Sequence, residues 1–297
     1  MNKYYVSIVV VILVGIAVEA GLYYYMPKQT SSVSPPITIA VGDNVSVNYI
    51  GYLPNGQVFD TSMYSVAINN QSYPKAVSFT FRGVNQYTPL KVHVGSSGGN
   101  NVYIITVTGF WENLLGMSVN QSKIFVVPPS LGYGKMNPNL IRTYPIISNL
   151  SAMATYNTSF YSKLYPNQPP DIGAVFKDPY WGWNDTIMSV NSSYISVLFT
   201  PYIGEIINPY HAWNMEVIGI TSNSSGTTIM LKNLVTPSMI GNIMGKDFSG
   251  NSFILYGINY SNSTYTVNYN KQVVGVDLTF DVTVVSIQSN TNQTASS

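Results

Sequence analysis

Few side chains in this sequence are suited to nucleophilic or acid–base catalysis. The 297 residues include no Cys and only two His, His93 and His211. Without Cys the chain has no disulfides, zinc–thiolate sites or thiol catalysis, and two imidazoles give little support to a metal site or a catalytic triad. We therefore expect no metal and no cofactor. Any reaction catalysed by this chain has to proceed without a nucleophile and a base.

Phe59 and Asp60 stand side by side in a segment that predicts a β-hairpin. Residues 45–49 alternate between apolar and polar side chains, as in a half-buried strand. Pro-Asn-Gly at residues 54–56 is a strong turn signal, and it leads into a second strand that carries Phe59 and Asp60. Taken alone, this segment is a hairpin followed by a carboxylate.

Four segments of the chain together match one known pattern. They are GYLPNGQVFDTS at residues 51–62, PLKVHVG at 89–95, VTGFWENLLGMSVNQSKIFVVPPSLGYG at 107–134 and GVDLTFDVTVV at 275–285. In this order they resemble motifs of FKBP-type peptidyl-prolyl cis/trans isomerases, in particular the archaeal and bacterial subfamily with an insert-in-flap domain. The resemblance covers residues 41–134 and 268–287.

The resemblance implies an α+β fold, in which an FKBP-like antiparallel half-barrel sheet surrounds one short helix. Trp111, Leu114, Leu115 and Val119 recur at helical spacing, so we expect them to form the helix face that packs on the sheet. Ordinary core packing explains this face, and we expect no ligand-binding role for it.

The resemblance also implies an apolar pocket between helix and sheet that holds a proline ring. Leu90 would bind substrate at a position where the family usually has Phe. Phe59 and Phe280, taken singly, could equally be core residues, whereas Tyr133 lies in a Gly-Tyr-Gly flap that is a poor place for core packing. The catalytic residues implied by the matching motif positions are Tyr49, Phe59, Asp60, Val107, Phe110, Tyr133 and Phe280.

The implied reaction is isomerisation of X-Pro peptide bonds, in which no covalent bond breaks. Amide resonance sets a rotation barrier of about 18–20 kcal/mol, and a dry aromatic pocket would favour the twisted, less polar amide. We expect the Tyr133 hydroxyl and the Val107 backbone N–H to donate hydrogen bonds to substrate carbonyls. Asp60 would orient Tyr49 or polarise the pocket.

A long insert, residues 135–267, interrupts the FKBP-like domain at residues 39–134 and 268–288, where a minimal FKBP has a short loop. Trp181 and Trp183 lie in an aromatic cluster that could bind unfolded peptides, and packing in a satellite core is the alternative. Residues 135–185 show less regular periodicity than the rest. A mostly-β fold is predicted by strand-like pieces at residues 194–200, 215–221, 227–231, 252–258 and 264–269.

The N-terminal residues 1–26 predict a signal anchor or transmembrane helix. Residues 4–26 contain Glu19 as their only charge and are long enough to span a bilayer, which takes about 20 apolar residues. Lys3 favours a cytoplasmic N-terminus with the bulk of the chain outside. Cleavage as a signal peptide near residues 18–20 is the alternative. Residues 27–38 read as a linker and residues 289–297 as a polar tail.

Composition agrees with an exported protein. Only 8% of residues are charged, against about 25% in an average protein, and eleven Asn-x-Ser/Thr sequons occur. A net charge of +1 makes nucleic acid an unsuitable partner. We expect the partners to be unfolded or proline-containing polypeptides and, through the N-terminal helix, the cell membrane.

Together these observations predict a peptidyl-prolyl isomerase with chaperone character that acts on exported or cell-surface polypeptides. Two other classes of function stay open. The pocket could be inactive in a binding or holdase module, or the protein could be a structural component of the cell envelope.

Overall fold

A computed structural model describes residues 37–289 of the chain. The predicted membrane or signal segment, the linker as far as residue 36 and the tail from residue 290 lie outside the described residues. Within residues 37–289, no helix is long and apolar enough to cross a membrane. The residues from Thr38 onward belong to one compact unit.

Eighteen strands and three α-helices occur in this part of the chain. The α-helices are α1 (Tyr64–Ile68), α2 (Thr108–Leu114) and α3 (Thr158–Leu164), and short 3-10 helices lie at Val84–Gln86, Pro129–Leu131, Pro138–Leu140 and Pro237–Met239. The first nine strands are β1 (Asn44–Tyr52), β2 (Val58–Thr61), β3 (Leu90–His93), β4 (Ile104–Ile105), β5 (Ser122–Val127), β6 (Ile141–Pro145), β7 (Ile147–Ser151), β8 (Met153–Asn157) and β9 (Val175–Lys177). The others are β10 (Asn184–Val190), β11 (Tyr194–Phe199), β12 (Ile206–Ile207), β13 (Met215–Asn223), β14 (Gly226–Asn233), β15 (Met244–Lys246), β16 (Ser252–Asn259), β17 (Thr264–Asn268) and β18 (Leu278–Gln288).

One six-stranded sheet joins the two ends of the described chain. Its strand order is β4-β3-β1-β18-β5, and β2 pairs with the end of β1. β3 and β4 are parallel, and the other pairs are antiparallel. β1 pairs with β18 from Asn44 opposite Gln288 to Tyr52 opposite Thr279. The predicted half-barrel sheet is confirmed.

The core of this domain lies between the sheet and α2. Successive side chains of β1 and β18 point to opposite faces of the sheet, as in any strand. Val47, Val282 and Val284 lie on one face and are fully buried. Phe110 and Leu114, four residues apart on α2, face the same cluster and are also buried. This contact holds the short helix against the sheet.

The predicted helix face is only partly correct. α2 ends at Leu114, because Leu115 already has an extended ψ of 134° and Gly116 adopts φ +77°, a left-handed conformation that favours glycine. Leu115 and Val119 therefore lie outside the helix and are 39% and 45% exposed, so the prediction that they face the sheet is wrong. Leu114 is fully buried, and Trp111 packs at the border of the core.

The insert forms three four-stranded antiparallel sheets around a core of its own. Their orders are β8-β11-β10-β9, β7-β14-β13-β12 and β6-β17-β16-β15. The sheets share one hydrophobic cluster, in which Trp183, Trp213 and Leu255 are at most 1% exposed. The mostly-β fold expected for this segment agrees with these sheets.

The three sheets are copies of one unit, which we name the first repeat (residues 172–199), the second repeat (203–233) and the third repeat (240–268). Each begins with Ile-Gly, and the glycine N–H donates a hydrogen bond to a backbone carbonyl of the long strand that follows. The donors are Gly173, Gly204 and Gly241, at φ +85°, +89° and +72°, and the acceptors are the carbonyls of Ile187, Val217 and Leu255, at 2.8, 2.7 and 2.8 Å. Each long strand then shifts its register immediately after the acceptor residue.

Residues 141–157 run past all three sheets and give each one an outer strand. β6 pairs with β17, β7 with β14 and β8 with β11. The step is six residues, so that Tyr144, Leu150 and Tyr156 take equivalent positions against the shared core. This segment therefore joins the three repeats into one body.

Two carboxylic acids are buried in the insert. Asp178 and Asp185 are 2% and 0% exposed. The Tyr165 hydroxyl donates a hydrogen bond to Asp178 Oδ2 at 2.8 Å and lies 3.4 Å from Asp185 Oδ2. The described residues place no Lys or Arg in an ion pair with either carboxyl. Burial, with a further contribution from the nearby Asp178 charge, raises the pKa of Asp185 from 3.8 to about 8.

The raised pKa of Asp185 predicts that the fold loses stability as the pH rises. The folded protein keeps a proton that the unfolded chain releases above its pKa of 3.8, so the free energy of unfolding should fall between pH 4 and about pH 8. Asp185→Asn should flatten this dependence, whereas Asp171→Asn, at an exposed carboxyl, should leave it intact. Denaturant unfolding of the full-length variants across this range measures the effect. Equal slopes for the wild type and Asp185→Asn would contradict it.

Candidate active site

The residues that the sequence predicts as catalytic line a single cavity of about 310 Å³ between α2 and the sheet. Leu90 contributes to the same cavity. Ile104, Ile105 and Thr106, which sequence analysis did not select, complete the wall. The residues brought together are Tyr49, Phe59, Asp60, Val107, Phe110, Tyr133 and Phe280.

The floor of the cavity is a set of aromatic rings in edge-to-face contact. The ring centroid of Phe110 lies 6.2 Å from that of Tyr49 and 5.0 Å from that of Phe280. All three side chains are at most 7% exposed. Phe125 on β5, a further residue that sequence analysis missed, supports Phe110 from below at 5.8 Å. Phe110, Phe125, Tyr49 and Phe280 thus form an apolar surface that excludes water.

One glycine on β1 makes room for Phe59. Gly51 lies opposite Phe280 in the pairing with β18 and opposite Asp60 in the pairing with β2. A Cβ at Gly51 would lie 2.6 Å from the Phe59 ring, so any larger residue would displace that ring. With glycine there, Phe59 packs on Phe280 with a centroid distance of 5.8 Å. The register of three strands therefore sets one wall of the pocket.

Asp60 is held by hydrogen-bond donors on several sides. The Tyr49 hydroxyl donates to Asp60 Oδ2 at 2.5 Å, and the Thr61 N–H donates to Oδ1 at 2.8 Å. Arg82 Nη2 also contacts Oδ1, at 3.0 Å, and donates to the Thr61 carbonyl. Burial, and next the negative charge of Asp60, raise the pKa of Tyr49, so this phenol stays protonated as a donor.

Arg82 is a site residue that sequence analysis missed. It lies in the segment between β2 and β3, where the chain is longer than the family pattern and no motif position applies. Its guanidinium lies 4.8 Å from the centroid of the Tyr87 ring, which fixes its direction toward Asp60. A cation followed by an aromatic residue at a five-residue spacing is too common a pattern to have identified it.

The rim of the cavity carries the two expected donors. Tyr133 follows the 3-10 helix Pro129–Leu131 and is 47% exposed, and burial followed by the Asp60 charge raises the pKa of its hydroxyl. Val107 directly precedes α2, so its N–H is not one of the helix's internal donors. Both residues line the cavity.

Trp181 and Trp183 lie apart from this cavity, and neither lines it. The two indoles stack at 4.9 Å, and Trp183 also packs on Phe199 at 5.6 Å. Because Trp183 is only 1% exposed, it offers no surface to a peptide, and its prediction as a substrate-binding residue was wrong. Packing in the core of the insert, the alternative reading of the sequence, describes it. Trp181 keeps a partly exposed ring at the edge of that core.

The insert is attached at the rim of the cavity. The Gly275 N–H donates to the carbonyl of Gly134, the neighbour of Tyr133, at 2.9 Å. The Asn270 side chain bonds to both backbone groups of Asn137, at 3.0 Å each. These bonds form a narrow neck between the two parts of the chain.

As for metal ligands, no group of three or more His, Asp or Glu that could hold an ion occurs in residues 37–289.

Comparison with known proteins adds independent findings. A family model described as FKBP-type peptidyl-prolyl cis-trans isomerase matches residues 36–146. A short-type peptidyl-prolyl cis-trans isomerase of Methanocaldococcus jannaschii is 33% identical over 107 residues, which cover 36% of this chain and 58% of that protein. FK506-binding protein 2 of Dictyostelium discoideum is 28% identical over 94 residues, covering 32% and 50%.

The chain thus spans about half the length of these curated relatives. The matched segment contains the hairpin, α2 and Tyr133, and the structure adds the closing strand β18 beside β1. The motifs, the half-barrel and the matches agree. Residues 36–146 of this chain thus match the FKBP-type peptidyl-prolyl cis-trans isomerase family.

Proposed function

We propose that this protein catalyses the cis/trans isomerisation of X-Pro bonds in polypeptides. The observation that carries the proposal is the aromatic cavity with Phe110 and Phe280 at its floor and the Tyr133 hydroxyl at its rim. Such an apolar cavity suits a proline ring.

The reaction would proceed by selective binding of the twisted amide. Rotation about the peptide bond has to overcome about 18–20 kcal/mol, because the planar amide is stabilised by resonance. The twisted amide is less polar than the planar one, so an apolar cavity favours it over the ground state. Tyr133 and the Val107 N–H would hold the flanking carbonyls while the bond turns. Asp60 needs no proton transfer, since Tyr49, Thr61 and Arg82 already occupy its oxygens.

Two substitutions separate the catalytic role of the rim from the structural role of the floor. Tyr133→Phe should lower kcat/KM for the tetrapeptide Ala-Leu-Pro-Phe by about 2- to 10-fold, the effect of one hydrogen bond, and leave the melting temperature unchanged. Phe280→Ala should abolish activity and cost about 3–5 kcal/mol of stability, because it empties a buried site. Equal losses of melting temperature would show that Tyr133 is a core residue.

We further propose that the protein has chaperone character and acts on exported or cell-surface polypeptides. The position of the neck supports this, because it places the insert beside the rim of the cavity. The low charge, the sequons and the apolar residues 4–26 support a membrane-tethered protein with its bulk outside the cytoplasm. Digestion of residues 37–289 by protease added to intact cells tests this location, and full protection would contradict it.

Removing the insert tests whether it captures substrate. Residues 138–269 can be replaced by Gly-Ser-Gly, because Asn137 and Asn270 are already hydrogen-bonded to each other and loop closure depends weakly on length. The deletion should keep its rate on Ala-Leu-Pro-Phe but lose most of its effect on proline-limited refolding of a whole protein, since a tethered client is held at high effective concentration.

Two outcomes of the deletion would contradict substrate capture. Both rates could fall in proportion, or neither could change. The insert would then be better explained as a docking surface for the cell envelope. Loss of refolding activity together with an unaltered peptide rate is the one result that supports chaperone character.

A further inference from the structure

A second cavity, of about 590 Å³, adjoins the isomerase cavity. The two share Phe59, Asp60 and Tyr133 as lining residues, so their walls are continuous. On its far side the second cavity is lined by Met244 and Ile254 of the third repeat, together with residues 269–273 at the base of the neck. A polypeptide that leaves the isomerase cavity past Tyr133 therefore meets the insert.

Two side-chain contacts lie near this cavity, one at the neck and one at the third repeat. The Ser78 hydroxyl donates to Gln272 Oε1 at 2.7 Å, which ties the neck to the segment that carries Arg82. On the other side, Gln57 lies at the end of the hairpin turn, and its Nε2 is 3.5 Å from Oδ1 of Asn242, two residues before Met244. The third repeat therefore touches the hairpin turn through exposed amide side chains.

Equivalent positions in the three repeats show how the wall formed by Met244 and Ile254 differs from the other two repeats. Met244 begins the short strand of the third repeat, as Val175 and Ile206 begin those of the first and second. Their cross-strand partners are Ile254, Thr186 and Glu216, respectively. The partner position is therefore polar in the two repeats that do not line the cavity and apolar in the repeat that does.

The fold itself does not require an apolar residue at the partner position. Thr186 and Glu216 occupy it in strands with the same register, the same bulge and the same glycine hydrogen bond. Met244 is 40% exposed and Ile254 is half-buried, so this pair presents apolar surface to the cavity. Of the charged residues in the lining, Asp60 and Arg82 form an ion pair, and Lys271 is exposed at the base of the neck. The wall formed by Met244 and Ile254 consequently suits an uncharged, apolar side chain.

We propose that this cavity is a second substrate subsite, which binds an apolar side chain of the same polypeptide whose proline occupies the isomerase cavity. Met244 and Ile254 are its specificity-determining residues. The inference rests on the proposed isomerase function and adds a preference for substrates with apolar residues near the proline. A tetrapeptide is too short to reach the subsite, whereas a longer chain engages both cavities.

The test compares two peptides of ten residues with the full-length protein. Both contain Ala-Leu-Pro-Phe at the centre, flanked on each side by Leu and Val in one peptide and by Ser in the other. The wild type should show a kcat/KM about 10-fold higher for the apolar peptide, a size typical of discrimination by an apolar pocket. Ile254→Glu, which introduces the residue of the second repeat, should reduce the ratio to near 1 and keep the rate on the tetrapeptide.

Thr186→Glu is the matched control, because it places the same residue at the same position of the first repeat, away from the cavity. It should keep the preference of the wild type. The inference is overturned if the wild type shows no preference, if Ile254→Glu retains it, or if Thr186→Glu loses it equally. A dimeric wild type that Ile254→Glu renders monomeric would also overturn it, since a second copy would then cover the cavity. Absence of activity on the tetrapeptide in the wild type would instead refute the proposed isomerase function.

Discussion

The pairing of β1 with β18 is the constraint on which the rest of the structure depends. These strands come from opposite ends of the described chain, yet they are hydrogen-bonded neighbours with Gly51 opposite Phe280 and Tyr49 opposite Val282. A slip of one residue would turn every side chain of a strand to the other face of the sheet. Phe280 would then leave the pocket. The Phe59 ring, which fits over Gly51, would lose the Phe280 ring on which it packs.

The same pairing explains how so large an insert is accommodated. The neck bond between Gly134 and Gly275 lies just before β18, so the chain enters and leaves the insert at neighbouring points. The three repeats bury their own core and share one closing segment, residues 141–157, and they therefore need no support from the half-barrel. The Asp60 carboxylate beside the pocket is also satisfied locally, by Tyr49, Thr61 and Arg82.

The residues that the sequence selects for the pocket line one cavity, because they stand in motifs with fixed positions. Arg82 and Thr106 lie in or beside segments where the chain is longer than the family pattern, and no motif position points to them. The helix face extended past Leu114 in the prediction because apolar periodicity continues there, whereas the left-handed Gly116 ends the helix. The threefold repeat was missed because its copies share an Ile-Gly start and a bulge rather than a long sequence match, although that dipeptide was the available signal.

The central claim is that the aromatic cavity lowers the barrier to X-Pro rotation rather than merely binding proline. Exchange NMR on a peptide containing Leu-Pro, with a catalytic amount of full-length protein, measures the cis-to-trans rate directly. The proposed function predicts exchange much faster than the uncatalysed reaction, which takes about 10–100 s. A folded protein that binds the peptide but leaves the exchange rate unchanged would contradict it.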